Sequence, residues 1–419
     1  MERKLDDLDS TDGFCMDISD KMQVVDREEV KNKVFKFDST DDIYDIISYF
    51  LEQKCNDQPF YIVDLGEVQK RYLNLVKCLP RFQAYYAIKS NPDPMILHVL
   101  AKLGCGFDCA SKDEIILAKS TGSNKLLYAN PCKDNDSLQF ARSQDVDLLT
   151  FDSECELDKI KLFHSDAACI LRIVVDDSGS DCKFSEKFGC ELEEAEKLLD
   201  MAKISKLNIV GVSFHIGSNC RVSGAFTRAI ADARKIFAMA HKKGFKLNIL
   251  DCGGGFSALE DAKPTFEELA SEINDAIDFH FADIPDMKYV VEPGRLLSQT
   301  SHCLVCCIIG IKHRIDPETK EHLYFYTINE SKYGSFNCIV FDHATPQILP
   351  YNERTSQTYT SVIYGVTCDG IDKIACNIML PKLCVGDRLF VQNFGSYTRA
   401  SSSSFNGFKT SLTHYIIKS

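Results

Sequence analysis

The sequence lacks the features of membrane, secreted and nucleic-acid-binding proteins. Its longest cysteine-containing apolar stretch, residues 303–311, is too short to cross a bilayer, and residues 1–4 lead into Asp-rich sequence rather than an apolar leader. Basic residues are in the minority, with 48 Lys and Arg against 61 Asp and Glu and a net charge of −13. We therefore expect a cytoplasmic protein that binds neither membranes nor nucleic acid.

Disulfide and metal-ligand patterns are missing too, although the chain contains 19 cysteines. Their spacing is not that of a disulfide framework, so reduced thiols in the cytoplasm are the simplest interpretation. Cys303 and Cys306 form one Cys-x-x-Cys pair, but no second pair follows at zinc spacing, and the segment is typical of a buried strand. We expect structural thiols there and no metal site.

What the chain does show is a regular alternation of strand-like and helical segments from about residue 60 to about residue 300. Eight strands alternating with helices are typical of an α/β fold with a (β/α)8, TIM-like barrel. A doubly wound open sheet is the alternative, and it is less favoured because polar residues follow every strand. Strand patterns occur at residues 82–88, 104–107, 125–128, 147–151, 168–171, 209–214, 247–250 and 289–291, and helical patterns at 94–103, 112–121, 191–202, 223–243 and 265–281.

A change of pattern near residue 300 predicts a second domain. Beyond it the sequence is rich in strands and turns, with runs at 323–328, 358–364 and 389–394 and no evident long amphipathic helix. We therefore predict three parts: an N-terminal segment at residues 1–58 that partly joins the β-domain, the barrel at 59–299, and a C-terminal all-β domain at 300–419.

The active site of such a barrel lies at the C-terminal ends of its strands. Nearly every predicted strand here ends in a polar, charged or glycine residue. The ordinary polarity of loops does not explain why Lys, Arg, His and Glu occur at matched positions. The residues are Lys89, Asp108, Asn130, Asp152, Arg172, His215, Gly253 to Gly255, and Glu292 to Arg295.

Two of these strand ends predict a phosphate site. Three glycines, Gly253 to Gly255, follow the seventh strand, and Gly294 and Arg295 follow the eighth. Loops after strands seven and eight form the usual phosphate site of these barrels, and consecutive glycines let backbone N–H groups approach an anion. A glycine-rich turn alone is more often a tight turn, but its place in the barrel order favours phosphate.

Lys89 ends the first predicted strand and is either a salt-bridge partner or a functional amine. Burial at a barrel mouth would lower the pKa of the amine, which suits Schiff-base chemistry. Beside a phosphate site, this amine predicts pyridoxal 5′-phosphate (PLP) as the cofactor. Glu292 could face the pyridine nitrogen and keep the ring protonated, and His215 could stack on the ring.

The β-domain adds Cys368 and Asp369, which lie in a turn before Gly370. We expect Cys368 to be accessible, unlike most of the other cysteines, so that it could donate a proton. Asp369 could bind a cationic substrate group. The chemistry of the residues alone leaves both roles open.

Five motifs of the barrel region occur in a characteristic order. They are Tyr-Ala-Ile-Lys-Ser-Asn at 86–91, Gly-Phe-Asp-Cys-Ala-Ser at 106–111, Phe-His-Ile-Gly-Ser at 214–218, Gly-Gly-Gly-Phe at 253–256 and Glu-Pro-Gly-Arg at 292–295. Together they resemble the fold-type III PLP-dependent decarboxylases of ornithine, lysine and arginine, whose fold is the alanine racemase/ornithine decarboxylase-like one. The resemblance covers nearly the whole chain from Phe60 onward. Later motifs at 333–337, 341–343, 368–370 and 405–408 narrow it to the eukaryotic ornithine decarboxylases.

The resemblance implies a PLP site around Lys89, which would carry the cofactor and act in catalysis with His215 and Cys368. Glu292 would face the pyridine nitrogen. The substrate-binding residues would be Tyr333, Phe341, Asp342 and Asp369. The remaining cofactor-binding residues would be Asp108, Glu114, Arg172, His215, Ser218, Gly253, Gly254, Gly255, Gly294, Arg295 and Tyr397.

The resemblance further implies decarboxylation of L-ornithine to putrescine and CO₂, the first step of polyamine synthesis. A homodimer would share its active sites between subunits. Cys368 of one subunit would protonate Cα after CO₂ leaves, while Asp369 of that subunit and Asp342 would bind the distal amine. An antizyme-like regulator is left open as a further partner.

Three alternatives remain. A catalytically inactive binding protein like the antizyme inhibitors would be similar across the chain but would lose cofactor residues, which are in place here. A decarboxylase of lysine or arginine would keep the chemistry, although Asp342 followed by His343 favours the shorter ornithine side chain. An amino-acid racemase would protonate both faces of its intermediate, and the Cys368–Asp369 turn argues against it.

The sequence departs from the family pattern at several positions. Phe341 stands where a Tyr usually precedes the Asp, and Asn219 replaces a Gly. Ser257 and the following Ala replace Pro-Gly, and Tyr364 replaces a Trp in a chain that has no Trp at all. These changes bear on affinity and inhibitor response, not on the type of reaction.

Overall fold

A computed structural model of the chain describes residues 34–53, 58–351 and 356–418. Eight parallel strands close into a barrel in which the last strand pairs with the first, with Tyr289 opposite Phe82. The predicted (β/α)8 barrel is therefore confirmed, and each predicted strand overlaps an observed one. The barrel strands are Phe82–Ala87, Gly106–Cys109, Leu126–Tyr128, Leu148–Phe151, Ala168–Arg172, Asn208–Ser213, Ile249–Asp251 and Lys288–Val291.

Helices alternate with these strands, and side-chain caps mark where several of them begin. Asp93 accepts a hydrogen bond from the backbone N–H of Met95 at 2.9 Å, and Pro94 supplies a helical φ at the first position. Thr265 and Glu268 form a capping box at another helix. The helices are Leu65–Cys78, Pro94–Lys102, Lys112–Ser120, Asn135–Ser143, Glu154–Phe163, Leu192–Ile204, Ala225–Lys242 and Phe266–Phe281.

A second sheet, of nine strands, forms the β-domain. Its principal order is Val34–Phe37, Leu412–Lys418, Phe60–Asp64, His302–Ile315, His322–Ile328, Thr358–Tyr364 and Lys373–Pro381. The strand Arg388–Val391 joins it by pairing with both His302–Ile315 and Leu349–Pro350. Helix Ile43–Glu52 packs on this sheet through buried side chains, among them Phe50 against Phe60.

The strand Phe60–Asp64 lies in this second sheet and not in the barrel, although the predicted barrel domain began at residue 59. It pairs with His302–Ile315 on one side and Leu412–Lys418 on the other. Residues 1–33 and 54–57 of the predicted N-terminal segment lie outside the described residues, but Val34–Phe37 pairs with Leu412–Lys418. The domain boundaries themselves stay a prediction.

The cysteines in the described part of the chain are all free thiols, and Cys303 and Cys306 are buried in the strand His302–Ile315. Among the same residues, no group of three or more His, Cys, Asp or Glu side chains is placed to hold a metal ion. None of the described helices combines the length and apolar character that a membrane span needs.

One buried ion cluster supports the helices beside the third and fourth barrel strands. Lys133 and Glu156 have no exposed side-chain surface, and Lys133 Nζ lies 2.8 Å from Glu156 Oε1. Lys133 Nζ also donates to the carbonyl of Thr150 at 2.7 Å, and Lys159 Nζ lies 2.5 Å from Glu156 Oε2. Because Glu156 neutralises a buried ammonium, its loss would leave an unpaired charge in the interior.

Glu156→Ala should therefore lower the free energy of unfolding by about 3–5 kcal/mol. Glu154→Ala is the matched control, because Glu154 lies in the same first turn of the helix Glu154–Phe163 but forms an exposed pair with Lys197. It should change stability by less than about 1 kcal/mol. Denaturant unfolding followed by circular dichroism measures both. Equal losses for the two variants would contradict the buried-charge argument.

Candidate active site

Lys89 lies at the mouth of the barrel, in a short 3₁₀ turn, Ile88–Ser90, directly after the first barrel strand. Its Nζ donates to Asp108 Oδ2 at 2.6 Å. Asp108 belongs to the second strand and has no exposed side-chain surface, whereas the Lys89 side chain is 40% exposed. A rigid strand pair therefore presents an amine on the open side of the mouth with an acid behind it.

The pKa of Lys89 is raised, and the expectation that burial would lower it is wrong for this environment. Loss of solvation does lower the pKa of the amine. The negative charge of Asp108 and the interactions of the amine with Glu292 and Tyr397 outweigh that effect and hold the amine protonated. A neutral amine at this position therefore requires the surrounding negative charge to be reduced.

Glu292 and Asp251 form a buried pair of carboxyl groups at the ends of the eighth and seventh barrel strands. Burial raises the pKa of Glu292 well above its usual range, and the charges of Asp251 and Asp108 raise it further. Lys89 and Arg172 oppose this shift only in part. The pair therefore retains a proton in this environment, and a positive group beside Glu292 would allow it to ionise.

His215 follows the sixth strand and is neutral. Burial lowers the pKa of its imidazole well below the usual range, and the positive charges of Arg172 and Lys89 add to that effect. The backbone N–H of Gly217 donates to His215 Nδ1 at 3.1 Å, so the ring proton of the neutral form is on Nε2. The ring meets Phe184 edge to face at 4.9 Å.

The glycines after the seventh strand leave no room for side chains. A Cβ on Gly254 would lie 2.6 Å from the carbonyl oxygen of Glu292 and 3.2 Å from His215 Nε2. Gly255 has φ +108°, and its Cβ would lie 2.8 Å from the carbonyl oxygen of Gly217. The predicted glycine turn is thus packed against the same residues that line the mouth, as a backbone cradle requires.

Arg295 lies at the junction of the barrel and the β-domain. Its Nη2 donates to Asp342 Oδ1 at 2.7 Å, to Asp342 Oδ2 at 2.9 Å and to Ser218 Oγ at 3.0 Å. Its Cζ lies 5.0 Å from the centroid of the Tyr397 ring. A Cβ on the neighbouring Gly294 would lie 3.3 Å from the Tyr397 hydroxyl. Ser218 and Tyr397, two of the predicted cofactor-binding residues, therefore contact this guanidinium.

Two other predicted cofactor residues lie around the same mouth. Glu114 turns back from helix Lys112–Ser120 to accept the backbone N–H of Ala110 at 2.6 Å, just beyond the second strand. Arg172 ends the fifth strand, and its Cζ lies 4.9 Å from the centroid of the Phe188 ring. The structure thus brings the barrel part of the predicted site together.

Cys368 and Asp369 form a separate cluster on the β-domain. Tyr333 donates to Asp369 Oδ2 at 2.5 Å and stacks on Phe405 with ring centroids 4.2 Å apart. The backbone N–H of Cys368 donates to Asn406 Oδ1 at 3.0 Å, and the thiol is exposed. Phe341 is also exposed, at 69%. The hydrogen bonds of this cluster go to β-domain residues, not to the barrel mouth.

Sequence reasoning missed two residues of the site. Asp251 is the last residue of the seventh strand, so the strand-end rule that found Glu292 also applies to it. Cys182 Sγ lies 3.7 Å from Asp342 Oδ1. Cys182 reaches that place because the strand Ser180–Cys182 pairs with Ser218–Cys220, and the sequence carries no local signal for this pairing.

The residues present fit PLP. Three buried polar atoms at the mouth have no hydrogen-bond partner in the described chain, namely Asp108 Oδ1, Asp251 Oδ2 and Arg295 Nε. An amine suited to an aldehyde, a glycine turn and guanidinium suited to a phosphate, and a buried carboxyl suited to a protonated pyridine surround them. A barrel with this set of groups at its mouth is typical of a PLP-binding protein.

The family of the chain follows from its relatives. Residues 65–299 match the family model described as "Pyridoxal-dependent decarboxylase, pyridoxal binding domain". The chain therefore belongs to the fold-type III PLP-dependent decarboxylase family, and its cofactor is PLP. The predicted family membership and cofactor are confirmed.

Individual relatives span most of the chain. Antizyme inhibitor 2 of Xenopus laevis is 42% identical over 89% of this chain and 84% of its own length. Ornithine decarboxylase of Mus musculus is 40% identical over 88% of this chain and 84% of its own length. The crystal structure of the Paramecium bursaria Chlorella virus arginine decarboxylase superposes with a TM-score of 0.84 at 34% identity, covering 89% of this chain and all of that one.

Glu292→Gln tests the protonation of the buried pair in cofactor-free protein. A carboxyl whose pKa is raised by folding is neutral in both the folded and the unfolded chain at acid pH. As pH rises, the unfolded chain ionises first, so the folded state becomes less stable relative to it. Gln cannot ionise, so the melting temperature of the variant relative to wild type should rise by about 1–3 °C between pH 5 and pH 8. Scanning fluorimetry measures this difference.

The control for that experiment is Glu318→Gln, which alters an exposed carboxylate in the β-domain. Its offset from wild type should be the same at both pH values. A Glu292→Gln offset that is equally independent of pH would contradict the proposed proton on the buried pair.

Proposed function

We propose that this decarboxylase-family chain converts L-ornithine to putrescine and CO₂. The proposal of a basic substrate rests on Asp342. Arg295 holds its carboxylate in place, and the Asp342 side chain is 9% exposed. A carboxylate in this position would bind the side-chain ammonium of a basic amino acid. The family supplies the type of reaction, and this acid favours ornithine among the candidates.

The barrel residues would bind and orient the cofactor. PLP supplies an aldehyde that takes up an amino group and a ring that withdraws electrons from Cα. Lys89 would hold it through Nζ, while Asp108 keeps that amine in place at 2.6 Å. The carboxylate of Glu292 would accept a hydrogen bond from the N–H of the pyridinium and keep the ring protonated, and His215 would lie flat against the ring. Ser218, Gly255, Arg295 and Tyr397 would hold the phosphate.

The β-domain would complete the reaction. After CO₂ leaves, the Cys368 thiol would give its proton to Cα, and Asp369 would bind the distal ammonium together with Asp342. In one chain, the exposed Cys368 belongs to a cluster that makes its hydrogen bonds within the β-domain. A second subunit would bring this cluster to the barrel mouth, so we infer a homodimer with shared sites.

The exposed surface around Cys368 supports that inference. Ile371 is 67% exposed, and Phe405 and Phe408, on either side of Asn406, also present apolar surface to solvent. Exposed apolar side chains that lie together mark a surface for a partner. A second copy of the chain that buried them would also exclude water from Cys368.

A second candidate is a binding protein without decarboxylase activity. Identity to antizyme inhibitor 2, at 42%, is slightly higher than the 40% to ornithine decarboxylase. The chain retains Lys89, Asp108, Arg295 and Cys368. A protein without catalytic activity need not keep these residues, so their presence argues against the second candidate. An antizyme-like regulator could bind in either case. The free thiols of the described residues suit a reducing, cytoplasmic location for both.

The first experiment measures CO₂ release from ornithine, lysine and arginine in parallel. Ornithine should give the highest kcat/KM. Lys89→Ala should lose the visible absorbance of bound PLP and reduce turnover by several orders of magnitude, whereas the exposed control Lys77→Ala should match wild type. No release from any substrate, together with tight binding of an antizyme, would favour the second candidate instead.

The second experiment tests Cys368. Cys368→Ala should keep bound PLP but slow putrescine formation by about 10²–10⁴-fold, or give products protonated elsewhere, because the proton donor is missing. Cys376→Ala removes another exposed thiol of the same domain and should leave turnover unchanged. Product analysis by mass spectrometry measures both effects. Unchanged turnover in Cys368→Ala would remove this thiol from the reaction.

A further inference from the structure

The guanidinium of Arg295 contacts two parts of the site at once. Nη2 alone makes the 2.7 and 2.9 Å contacts to Asp342 and the 3.0 Å contact to Ser218. Both charged side chains are nearly buried, at 11% and 9% exposed. In such surroundings a charged hydrogen bond fixes both of its partners.

A second donor of the same guanidinium is unused. Arg295 Nε is buried and has no partner among the described residues. A buried donor without a partner is costly and fits a ligand acceptor. Ser218 and Tyr397, both proposed phosphate residues, flank the group. A phosphate oxygen could therefore use Nε while Nη2 keeps Asp342.

Asp342 has acceptor positions left for a substrate. A carboxylate offers about four lone-pair positions. Arg295 Nη2 engages both oxygens, and Cys182 Sγ lies 3.7 Å from Oδ1. The backbone of Asp342 is fixed as well, since its N–H donates to the carbonyl of Cys338 at 3.0 Å. The side chain can thus accept an ammonium without leaving the guanidinium.

Without Arg295, the Asp342 side chain would have room to turn away. A cavity of about 720 Å³ adjoins the ion pair and is lined by both residues. Its other walls include Arg221, Gln299 and Asn393, whose N–H groups can donate hydrogen bonds to a relocated carboxylate. The rotamer of Asp342 therefore depends on Arg295 and not on close packing.

We propose that Arg295 is a positioning residue for substrate selection, because the guanidinium that would bind the cofactor phosphate also fixes the Asp342 carboxylate. A carboxylate fixed in this way would set how far from Cα the distal ammonium lies, which distinguishes the four-carbon chain of ornithine and putrescine from a longer one. The inference rests on the proposed role of Asp342 in binding the distal ammonium. Arg295 would therefore bind the phosphate and also determine which substrate chain length is preferred.

The test compares the binding of putrescine and of cadaverine, a diamine longer by one carbon, to PLP-saturated protein by calorimetry. Arg295→Lys keeps the charge but replaces a planar fork by a single ammonium that cannot serve both partners in the same way. The preference for putrescine, taken as the ratio of the two Kd values, should fall by about tenfold. A variant with weaker PLP affinity and an unchanged ratio would overturn the proposal.

Two further variants separate positioning from loss of the cofactor. Glu292→Gln alters a proposed cofactor contact, and Glu292 makes no hydrogen bond with Arg295 or Asp342 among the described residues. This variant should therefore weaken PLP binding and leave the diamine ratio unchanged. Asp342→Asn should lose the preference, and adding Arg295→Lys to it should cause no additional loss. A ratio altered equally in Glu292→Gln would overturn the proposal.

The binding readout is independent of turnover. One outcome is that the wild-type protein binds putrescine selectively, loses that selectivity in Arg295→Lys and yet releases no CO₂. That result would support the positioning role and contradict the proposed activity. Failure of the wild-type protein to prefer putrescine would overturn the positioning role, even if ornithine is decarboxylated.

Discussion

The balance of buried charge at the barrel mouth is the constraint on which the site depends. Three carboxyl groups, Asp108, Asp251 and Glu292, face the cations Lys89 and Arg172 in an environment that water solvates poorly. Each carboxyl raises the pKa of its neighbours, so Lys89 stays protonated and the Asp251–Glu292 pair retains a proton. A cofactor with a positive ring nitrogen would let Glu292 ionise. The same charges therefore disfavour an empty mouth and suit PLP.

A second buried ion pair connects the two halves of the fold. Arg295 comes from the loop after the eighth barrel strand, whereas Asp342 follows a short helix of the β-domain. Their contact, together with the Tyr397 ring over the guanidinium, ties the proposed phosphate end of the site to its substrate end. Neither domain alone contains this arrangement. The junction of the domains is thus part of the site and not only a support for it.

The barrel could be predicted because its strands are continuous apolar runs, and closure brings their C-terminal ends to one mouth. Lys89, His215 and Glu292 could therefore be assigned to a common site before any distance was known. The pairing of Phe60–Asp64 could not be read from the sequence because both of its partner strands lie far along the chain, beyond residue 300. Helices Asn135–Ser143 and Glu154–Phe163 were not among the predicted segments, and each buries only three side chains on a largely polar segment.

The pKa of Lys89 and the contacts of Cys182 could not be read from the sequence, because each depends on several residues that only the fold brings together. Burial alone predicts a lowered amine pKa, and the acidic groups around Lys89, Asp108 above all, reverse the sign. The Cys368 cluster presents the opposite case. Its motif was evident, yet in one chain its hydrogen bonds lie within the β-domain and its thiol faces solvent. The proposed proton donor for a buried Cα must be enclosed, so the exposure of this thiol in one chain supports the proposed second subunit.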